Sequence, residues 1–437
     1  MSTISKSLTI LVAVGSVAQA GGALAQSSAS SSLRAAQAQR TDLFARDRGV
    51  AVRDRPHPGY EVSGVPLGGF TVFPKLEIGG EYTDNVYATN TGAVDDLILR
   101  VKPELAVSSD WSRNALSAYA RGTLSRFKDY ETENTDEYGV GATGRLDFSR
   151  ATQVTGGADY ARIAEPRTSA SSQTQSADPI EYDLSSAYIA ASRTSGRVRL
   201  SGRGDVRAFD YADGTSVTGV NIDQDNRDRT VSSFTGRADL AVSPASAFFV
   251  QATGNERDYD VASTPTAAAR DSSGYEILAG ANFELGAVAR GEVAVGYIDQ
   301  SFDESVYGNV SGLGARALVQ WFPTQLTTVT ATGARTVEDS AIVGSGGYLS
   351  TSLGLQIDHE LRRNVIVGAQ ASYGQDDYEG LDRKDDRLGA SVSTTYLVNR
   401  HLGLSLTASH FEQDSSGAAS GASFNINKLM VSLVTQF

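Results

Sequence analysis

The chain has 437 residues, no cysteine and a formal net charge of −13. Without cysteine, disulfides, thiolate metal sites and cysteine nucleophiles are excluded. The negative charge argues against a nucleic acid partner, because neutralising phosphates requires clustered lysine and arginine.

Residues 1–25 have the features of a secretory signal peptide. Lys6 supplies a positive charge, residues 8–14 are mostly apolar, and Ala23-Leu24-Ala25 fits an A-x-A cleavage site. The apolar run is shorter than the roughly 20 residues that a transmembrane helix needs, and a buried N-terminal helix is the alternative. We therefore expect this segment to be removed on export to the periplasm.

Residues 26–68 form a segment of different composition. It begins with small polar residues, which offer too little apolar surface for a core. Four arginines follow between residues 46 and 55, and then two prolines. We interpret the segment as a periplasmic linker or as a plug in a barrel mouth, and the sequence leaves both open.

Residues 69–437 alternate polar and apolar side chains throughout. Between residues 230 and 242, for example, Phe234 and Leu240 lie on one face, and Arg237 and Asp239 lie on the other. Strand side chains alternate with period two, so these segments are strands with one apolar face. About eighteen are counted (sixteen to eighteen), starting near residues 72, 97, 114, 136, 152, 181, 197, 227, 246, 273, 288, 309, 325, 346, 364, 386, 401 and 424.

The connections between these segments alternate between short and long. Short turns such as Ser195-Gly196 and Pro323-Thr324 alternate with long connections such as 164–180 and 211–228. Outer-membrane barrels have short periplasmic turns and long extracellular loops, and a sheet in lipid must close to pair its backbone. The sequence therefore predicts an all-β protein, a transmembrane antiparallel up-and-down barrel in the outer membrane. A soluble β-sandwich is the alternative.

Aromatic residues are expected in two girdles, because amphipathic rings prefer the headgroup level. The predicted outer girdle consists of Tyr82, Tyr87, Tyr130, Tyr138, Tyr160, Tyr211, Tyr297 and Tyr373. The predicted inner girdle consists of Trp111, Phe148, Phe248, Trp321, Phe322 and Tyr396. Ordinary β-propensity is the alternative for single rings.

The last strand alternates up to the final residue. Leu429, Val431, Leu433 and Phe437 share its apolar face. A terminal aromatic residue after such a strand resembles the signal that outer-membrane barrel assembly machinery reads, so we expect that machinery as a partner. With an even number of strands, this strand pairs with the one that opens near Phe73, on the periplasmic side.

Residues 52–88 read VRDRPHPGYEVSGVPLGGFTVFPKLEIGGEYTDNVYA. The R-D-R-P start, the F-P-K-L run and the motif with Tyr82, Asp84, Asn85 and Tyr87 resemble the β-barrel porin type 2 family. The other strands match this family in their spacing and alternation and not in a sequence motif. The resemblance implies an outer-membrane barrel, in several members associated with exopolysaccharide export and hence with periplasmic export components. It implies no catalytic residues.

An eighteen-stranded barrel is wide enough for an aqueous channel. Its inward face is predicted to carry Arg100, Lys102, Arg121, Arg197, Arg199, Arg203, Arg207, Arg237 and Arg290. Rings of arginine or lysine favour anions, so we expect a locally cationic lumen suited to an anionic solute or an acidic polysaccharide. The alternative is that these residues brace the wall by pairing with Glu104, Asp159, Asp239 and Glu292.

Most acidic residues fall in the predicted outer loops, including Asp223, Asp225 and Asp228 in one of them. Divalent cations are hard ions that prefer oxygen ligands such as carboxylates. They could link these loop carboxylates to lipopolysaccharide phosphates. Outer-membrane lipid and lipopolysaccharide are the expected surroundings. No loop has the ligand spacing of an EF-hand, so solvated charge is the better interpretation, and we assign no metal or cofactor site.

The available imidazole bases are His57, His359, His401 and His410, and no G-x-S-x-G or similar nucleophile motif occurs. An outer-membrane hydrolase is therefore the weaker alternative. The sequence predicts a non-enzymatic, porin-like channel for polysaccharide or other hydrophilic solutes. A general diffusion porin and a structural or adhesive barrel without transport remain open.

Overall fold

The computed structural model describes residues 49–172, 176–261 and 268–437. The predicted signal peptide and the first part of the predicted linker, residues 26–48, lie outside these residues. Within the described part, no helix has the length and apolar character needed to cross a membrane.

Eighteen long strands run through the described residues, each antiparallel to the next in the chain. They are β1 (Phe70–Thr83), β2 (Asp96–Ser109), β3 (Ala115–Phe127), β4 (Thr135–Asp147), β5 (Thr152–Ala164), β6 (Glu181–Ser195), β7 (Val198–Tyr211), β8 (Arg229–Ser243), β9 (Ser246–Tyr259), β10 (Ser272–Leu285), β11 (Ala289–Phe302), β12 (Val310–Thr324), β13 (Thr327–Asp339), β14 (Gly347–Arg362), β15 (Val365–Tyr378), β16 (Lys384–Leu397), β17 (Leu402–Ser416) and β18 (Phe424–Gln436). All eighteen predicted starts lie within two residues of these bounds.

The sheet closes because β18 pairs with β1, from Lys75 opposite Gln436 to Thr83 opposite Lys428. Closure removes the unpaired edges that hydrocarbon would not tolerate. The predicted all-β, antiparallel up-and-down barrel is confirmed, as is the pairing of the last strand with the first.

Connection length distinguishes the two ends of the barrel. Short turns lie at the inner end, at 110–114, 148–151, 196–197, 244–245, 286–288, 325–326, 363–364 and 398–401. The outer loops are 84–95, 128–134, 165–180, 212–228, 260–271, 303–309, 340–346, 379–383 and 417–423. The turn expected at Pro323-Thr324 lies instead at 325–326, because β12 continues to Thr324 through an irregular register. Such an irregularity accommodates proline, which has no amide hydrogen for the ladder.

The apolar face of the strands is exposed on the outside of the barrel. In β8, Phe234 and Leu240 are 64% and 50% exposed, whereas Asp239 between them is 3% exposed. Outward exposed rings occur at both ends, with Tyr82, Tyr138, Tyr297 and Tyr373 at the outer end and Trp111, Phe148, Phe248, Trp321 and Tyr396 at the inner end.

The girdle prediction is wrong for Tyr211 and Phe322. Tyr211 is buried and stacks on Tyr182, with the ring centroids 4.8 Å apart. The Tyr211 ring lies under the guanidinium group of Arg227 at 4.0 Å, and the Phe322 ring lies under that of Arg290 at 5.6 Å. Tyr211 has the same parity along β7 as Arg207, and Phe322 follows the exposed Trp321 along β12, so strand alternation turns both rings to the lumen, where the guanidinium groups attract them.

Shorter elements lie at both ends. Before β1, a single 3-10 turn spans Val52–Asp54, and a short strand, Val65–Leu67, pairs with the start of β1. In the outer loop 212–228, the two-residue strands Gly214–Thr215 and Asn221–Ile222 pair, and a 3-10 turn spans Asp225–Arg227. These elements fix the segments that cover the lumen.

Candidate functional site in the lumen

Ion pairs link β1, β2 and β18 on the inward face. Arg100 pairs with Glu81 at 3.0 Å, and Lys102 lies 3.6 Å from Glu77. Lys428 lies 3.5 Å from the same Glu81 carboxylate. These predicted lumen residues brace the wall.

Two more predicted arginines are braced in the same way. Arg203 pairs with Asp205 at 2.5 Å. Arg237 bridges Asp239 and Glu292, each at 2.8 Å. Because Asp239 is almost fully buried, Arg237 neutralises a carboxylate that would otherwise be costly to keep charged.

The remaining predicted residues have varied surroundings. Arg121 is exposed within the lumen, with its guanidinium 5.4 Å from the Tyr119 ring centroid. Arg199 and Arg290 donate hydrogen bonds to Ser192 and Gln320. Arg197 lies in the inner turn 196–197 and not on a strand.

Two of the four expected acidic partners have other contacts. Glu104 lies 3.4 Å from Lys75, and Asp159 accepts a hydrogen bond of 2.7 Å from the Tyr119 hydroxyl. Asp239 and Glu292 are used as the bracing alternative predicted. The last of the predicted lumen residues, Arg207, lines a cavity together with arginines that were not predicted.

A cavity of about 130 Å³ lies at the outer end of the lumen. The ends of β6–β9, β13, β14 and β16 line it, together with the loop residues Glu165, Thr168, Ser169, Ala170, Ser171, Arg227, Arg270, Ser340 and Ala341. Its charged lining consists of Arg207, Arg227, Arg229, Arg257, Arg270 and Arg387 with Glu165, Glu338 and Asp339. We call this the arginine cavity, because cations outnumber carboxylates in its lining.

Aromatic rings hold several of these arginines. Arg229 lies 4.3 Å from the Phe209 ring centroid, and Arg270 lies 4.9 Å from that of Tyr259. Such contacts within about 6 Å are attractive. They fix the direction of the guanidinium groups and at the same time occupy the rings.

Some of the cavity arginines are neutralised. Arg227 donates two hydrogen bonds to Glu165, at 2.7 and 3.0 Å. Burial alone would lower the pKa of Arg227, but the Glu165 carboxylate outweighs burial and raises that pKa above its ordinary value. Arg229 and Arg257 share the Asp339 carboxylate. Outside the cavity lining, Asp376 pairs with Arg387 at 2.5 Å.

Arg270 and Arg207 are not neutralised in this way. Arg270 is buried, and its guanidinium donates to the backbone carbonyls of Ser340 and Asn226 instead of to a carboxylate. Among the described residues, Arg207 has no hydrogen-bond or ion-pair partner. Neither side chain forms an ion pair, and six arginines outnumber three carboxylates in the lining.

The sequence interpretation found Arg207 and missed the other five cavity arginines. Arg229 has the same parity along β8 as Arg237, so extending the alternation to the strand end would have found it. Arg227 and Arg270 lie in outer loops, where no periodicity indicates direction. Their position depends on how the loops fold over the lumen.

The segment before β1 lies at the inner end of the lumen, and we call residues 49–57 the inner segment. Val52 is fully buried, and its N–H donates to the Thr328 hydroxyl at 2.9 Å. Gly49 lies so close to the Phe322 ring that an added Cβ would come within 2.7 Å of it. The segment therefore packs against the inner ends of β12 and β13.

The inner segment also pairs with wall charges. Arg53 pairs with Asp358 at 2.7 Å, and Arg55 lies 3.5 Å from Glu360. Both carboxylates belong to β14 and are buried. The chain thus extends from the β13–β14 wall to the start of β1, across the inner end of the lumen.

The motif residues Asp84 and Asn85 lie at the seam where β1 meets β18. Asp84 accepts hydrogen bonds from the backbone N–H and the side-chain amide of Asn427, at 2.7 and 2.6 Å. The Asn85 amide donates to the carbonyls of Asn425 and Thr89, at 2.9 and 2.8 Å. The motif joins the two strands that close the barrel.

Tyr87, the last residue of the motif, lies beyond this seam. Its ring packs edge-on against Tyr130 at 5.6 Å. Tyr82 is 40% exposed on the outside of β1.

Residues 57–437 match the model of the family described as "Putative beta-barrel porin 2". The chain belongs to this family. The match includes every strand of the barrel and the seam motif, so the resemblance stated from the motif is confirmed. As a porin-type barrel, the protein is located in the outer membrane.

Several solved structures of outer-membrane proteins are similar to the chain. OpdL of Pseudomonas aeruginosa is 12% identical, with a TM-score of 0.43, covering 85% of this chain and 100% of its own. OpdK of P. aeruginosa, solved with vanillate, is 10% identical, with a TM-score of 0.42 and coverages of 84% and 99%. The siderophore receptor PirA of P. aeruginosa is 10% identical, with a TM-score of 0.44 and coverages of 84% and 80%. A comparison with curated proteins finds no match.

The histidines of this porin-family barrel have structural contacts. His410 hydrogen bonds Asn427 at 2.8 Å, and His359 hydrogen bonds Thr327 at 3.0 Å. His401 contacts the Phe437 ring, with centroids 5.3 Å apart. Within the described residues, no hydrogen bond joins a histidine to a serine.

The acidic loop 212–228 brings Asp213, Asp223 and Asp225 close together. Hydrogen bonds from Asn221 and Gln224 lower the pKa of Asp213, whereas repulsion from Asp223 raises the pKa of Asp225. All three side chains are exposed. They shape the loop and carry solvated charge.

Proposed function

We propose that this porin-family barrel is a passive, non-enzymatic channel for hydrophilic solutes that prefers anions. One observation carries the proposal: the arginine cavity lies at the outer end of the lumen with six arginines and three carboxylates in its lining. Clustered cations raise the local concentration of anions and favour their passage. The finer form of the proposal, an acidic polysaccharide as the solute, is supported by the same charge surplus.

The proposal also assigns a role to the inner segment, which would restrict the inner end of the channel. Its contacts with β13 and β14 support a restriction of the inner end, so the channel would conduct around it or after its release. The paired lumen residues, such as Arg237, contribute little selectivity because their charges are balanced.

The test is the reversal potential of single channels in planar bilayers under a potassium chloride gradient. We expect the wild-type barrel to prefer chloride, and the double variant Arg207→Gln, Arg270→Gln to lose most of that preference. Arg150→Gln, in an inner turn, removes one charge away from the lumen and should leave the reversal potential unchanged. A clear cation preference of the wild type, or the absence of conductance even after the inner segment is released, would overturn the proposal.

A further inference from the structure

The arginine cavity has a size that restricts its ligand. Its volume is about 130 Å³, whereas a water molecule occupies about 30 Å³ of liquid. Pockets for drug-sized ligands measure roughly 300–1,000 Å³. The cavity therefore fits one small charged group with a few waters and not a complete oligosaccharide.

The charge of the cavity indicates what that group is. A buried cation without an anionic partner is unfavourable, and Arg270 has only backbone carbonyls as partners. Arg207 lines the same cavity and forms no hydrogen bond or ion pair among the described residues, and Glu338 is its main electrostatic neighbour. Guanidinium groups match the geometry of carboxylates and phosphates, which accept two parallel hydrogen bonds.

The aromatic lining argues against a platform for sugar rings. Tyr211 contacts both Arg227, at 4.0 Å, and Tyr182, at 4.8 Å. Tyr259 lies beside both Arg270, at 4.9 Å, and Arg229, at 5.7 Å. Because these rings already hold cations or other rings, they orient the arginines and leave recognition to the guanidinium groups.

We propose that the arginine cavity is a saturable binding site for one oxyanion group, a carboxylate or a phosphate, which Arg207 and Arg270 bind. The inference rests on the proposed channel function and deepens it, since the site would be the point at which an anionic solute pauses. The other four arginines form ion pairs with Glu165, Asp339 and Asp376, two of them sharing Asp339, and shape the site.

The experiment is isothermal titration calorimetry of the full-length barrel in detergent, at constant ionic strength with chloride as the replaced anion. Inorganic phosphate and malonate are titrated separately, to distinguish phosphate from carboxylate binding. We expect saturable binding of at least one probe. Arg207→Gln and Arg270→Gln should each weaken it roughly tenfold to a hundredfold, the effect of one lost charge-assisted hydrogen bond.

The matched control is Arg121→Gln, which removes one lumen charge on β3, outside the cavity. It should leave the affinity unchanged. Because Arg270 is buried, each variant is first checked for the heat-induced mobility shift of a folded barrel, and Arg207→Gln keeps the test valid if Arg270→Gln does not fold.

The outcomes separate the site from the function. Non-saturable heats for both probes, or equal weakening by Arg121→Gln, would overturn the site, and a persisting chloride preference would then leave the channel proposal intact. Saturable binding lost in Arg207→Gln, together with a cation-preferring channel, would support the site and overturn the function.

Discussion

The two ends of the lumen differ in how they balance charge. At the inner end, the wall carboxylates Asp358 and Glu360 pair with Arg53 and Arg55 of the inner segment, respectively. At the outer end, Arg207 and Arg270 form no ion pair with a carboxylate among the described residues, although Glu338 and Asp339 line the same cavity. A matched set of charges fastens a segment of the protein itself, whereas an unmatched set is available to a solute. Under the proposed function, the inner end holds the protein's own chain and the outer end is the one that meets the solute.

The largest expected effect, on channel conductance, comes from breaking the ion pairs of the inner segment with Asp358 and Glu360. In the double variant Arg53→Glu, Arg55→Glu, like charges face buried carboxylates, which costs several kcal/mol. The inner segment should leave the wall. Single-channel conductance should then rise roughly twofold or more, because an eighteen-stranded barrel otherwise encloses an aqueous channel.

The control for this variant is Arg362→Glu, Arg363→Glu, which changes charge equally at the inner end of β14 without touching the segment. Its conductance should stay close to that of the wild type. Equal conductance in all three proteins would show that the inner segment does not restrict the channel.

A braced arginine should affect stability and not selectivity. Arg237→Gln leaves Asp239 buried without its cation, which costs about 3–5 kcal/mol. Urea unfolding in lipid vesicles should show a lower midpoint, while the reversal potential stays near the wild-type value. Arg121→Gln, which breaks no ion pair in the described structure, is the control for unfolding. A selectivity loss in Arg237→Gln as large as in Arg207→Gln, Arg270→Gln would remove the distinction between braced and surplus cations.

The smallest expected effect concerns the seam at the outer end. Asn85→Ala removes three side-chain hydrogen bonds, one to a carbonyl of β18 and two with Thr89 in the same outer loop, each worth about 1 kcal/mol. We expect a small decrease in the urea midpoint, with phosphate binding and selectivity unchanged. Asn114→Ala, which removes an amide from an inner turn, provides the comparison. An altered phosphate affinity in Asn85→Ala would mean that the seam and the arginine cavity are coupled.

The sequence allowed the strands to be predicted almost residue by residue, because membrane and water impose opposite demands on alternate side chains. Alternation also predicted that Arg237 faces inward, since Arg237 and Asp239 share a parity, although five of the six cavity arginines were missed. The partners of the predicted lumen residues were partly missed. Arg100 pairs with Glu81 and not with an expected acid, because the partner depends on the register between strands β1 and β2.

Alternation and connection length alone determined the barrel, its strand number and its closure, because every strand in a bilayer obeys the same rule. The seam motif by itself indicated the family. Only the tertiary structure placed Arg227 and Arg270 over the lumen and Arg53 against Asp358, since loops and the segment before β1 have no periodicity that reports direction. Only the tertiary structure, likewise, showed what the inward rings of Tyr211 and Phe322 contact, since Arg227 reaches Tyr211 from the following loop and Arg290 reaches Phe322 from the neighbouring strand.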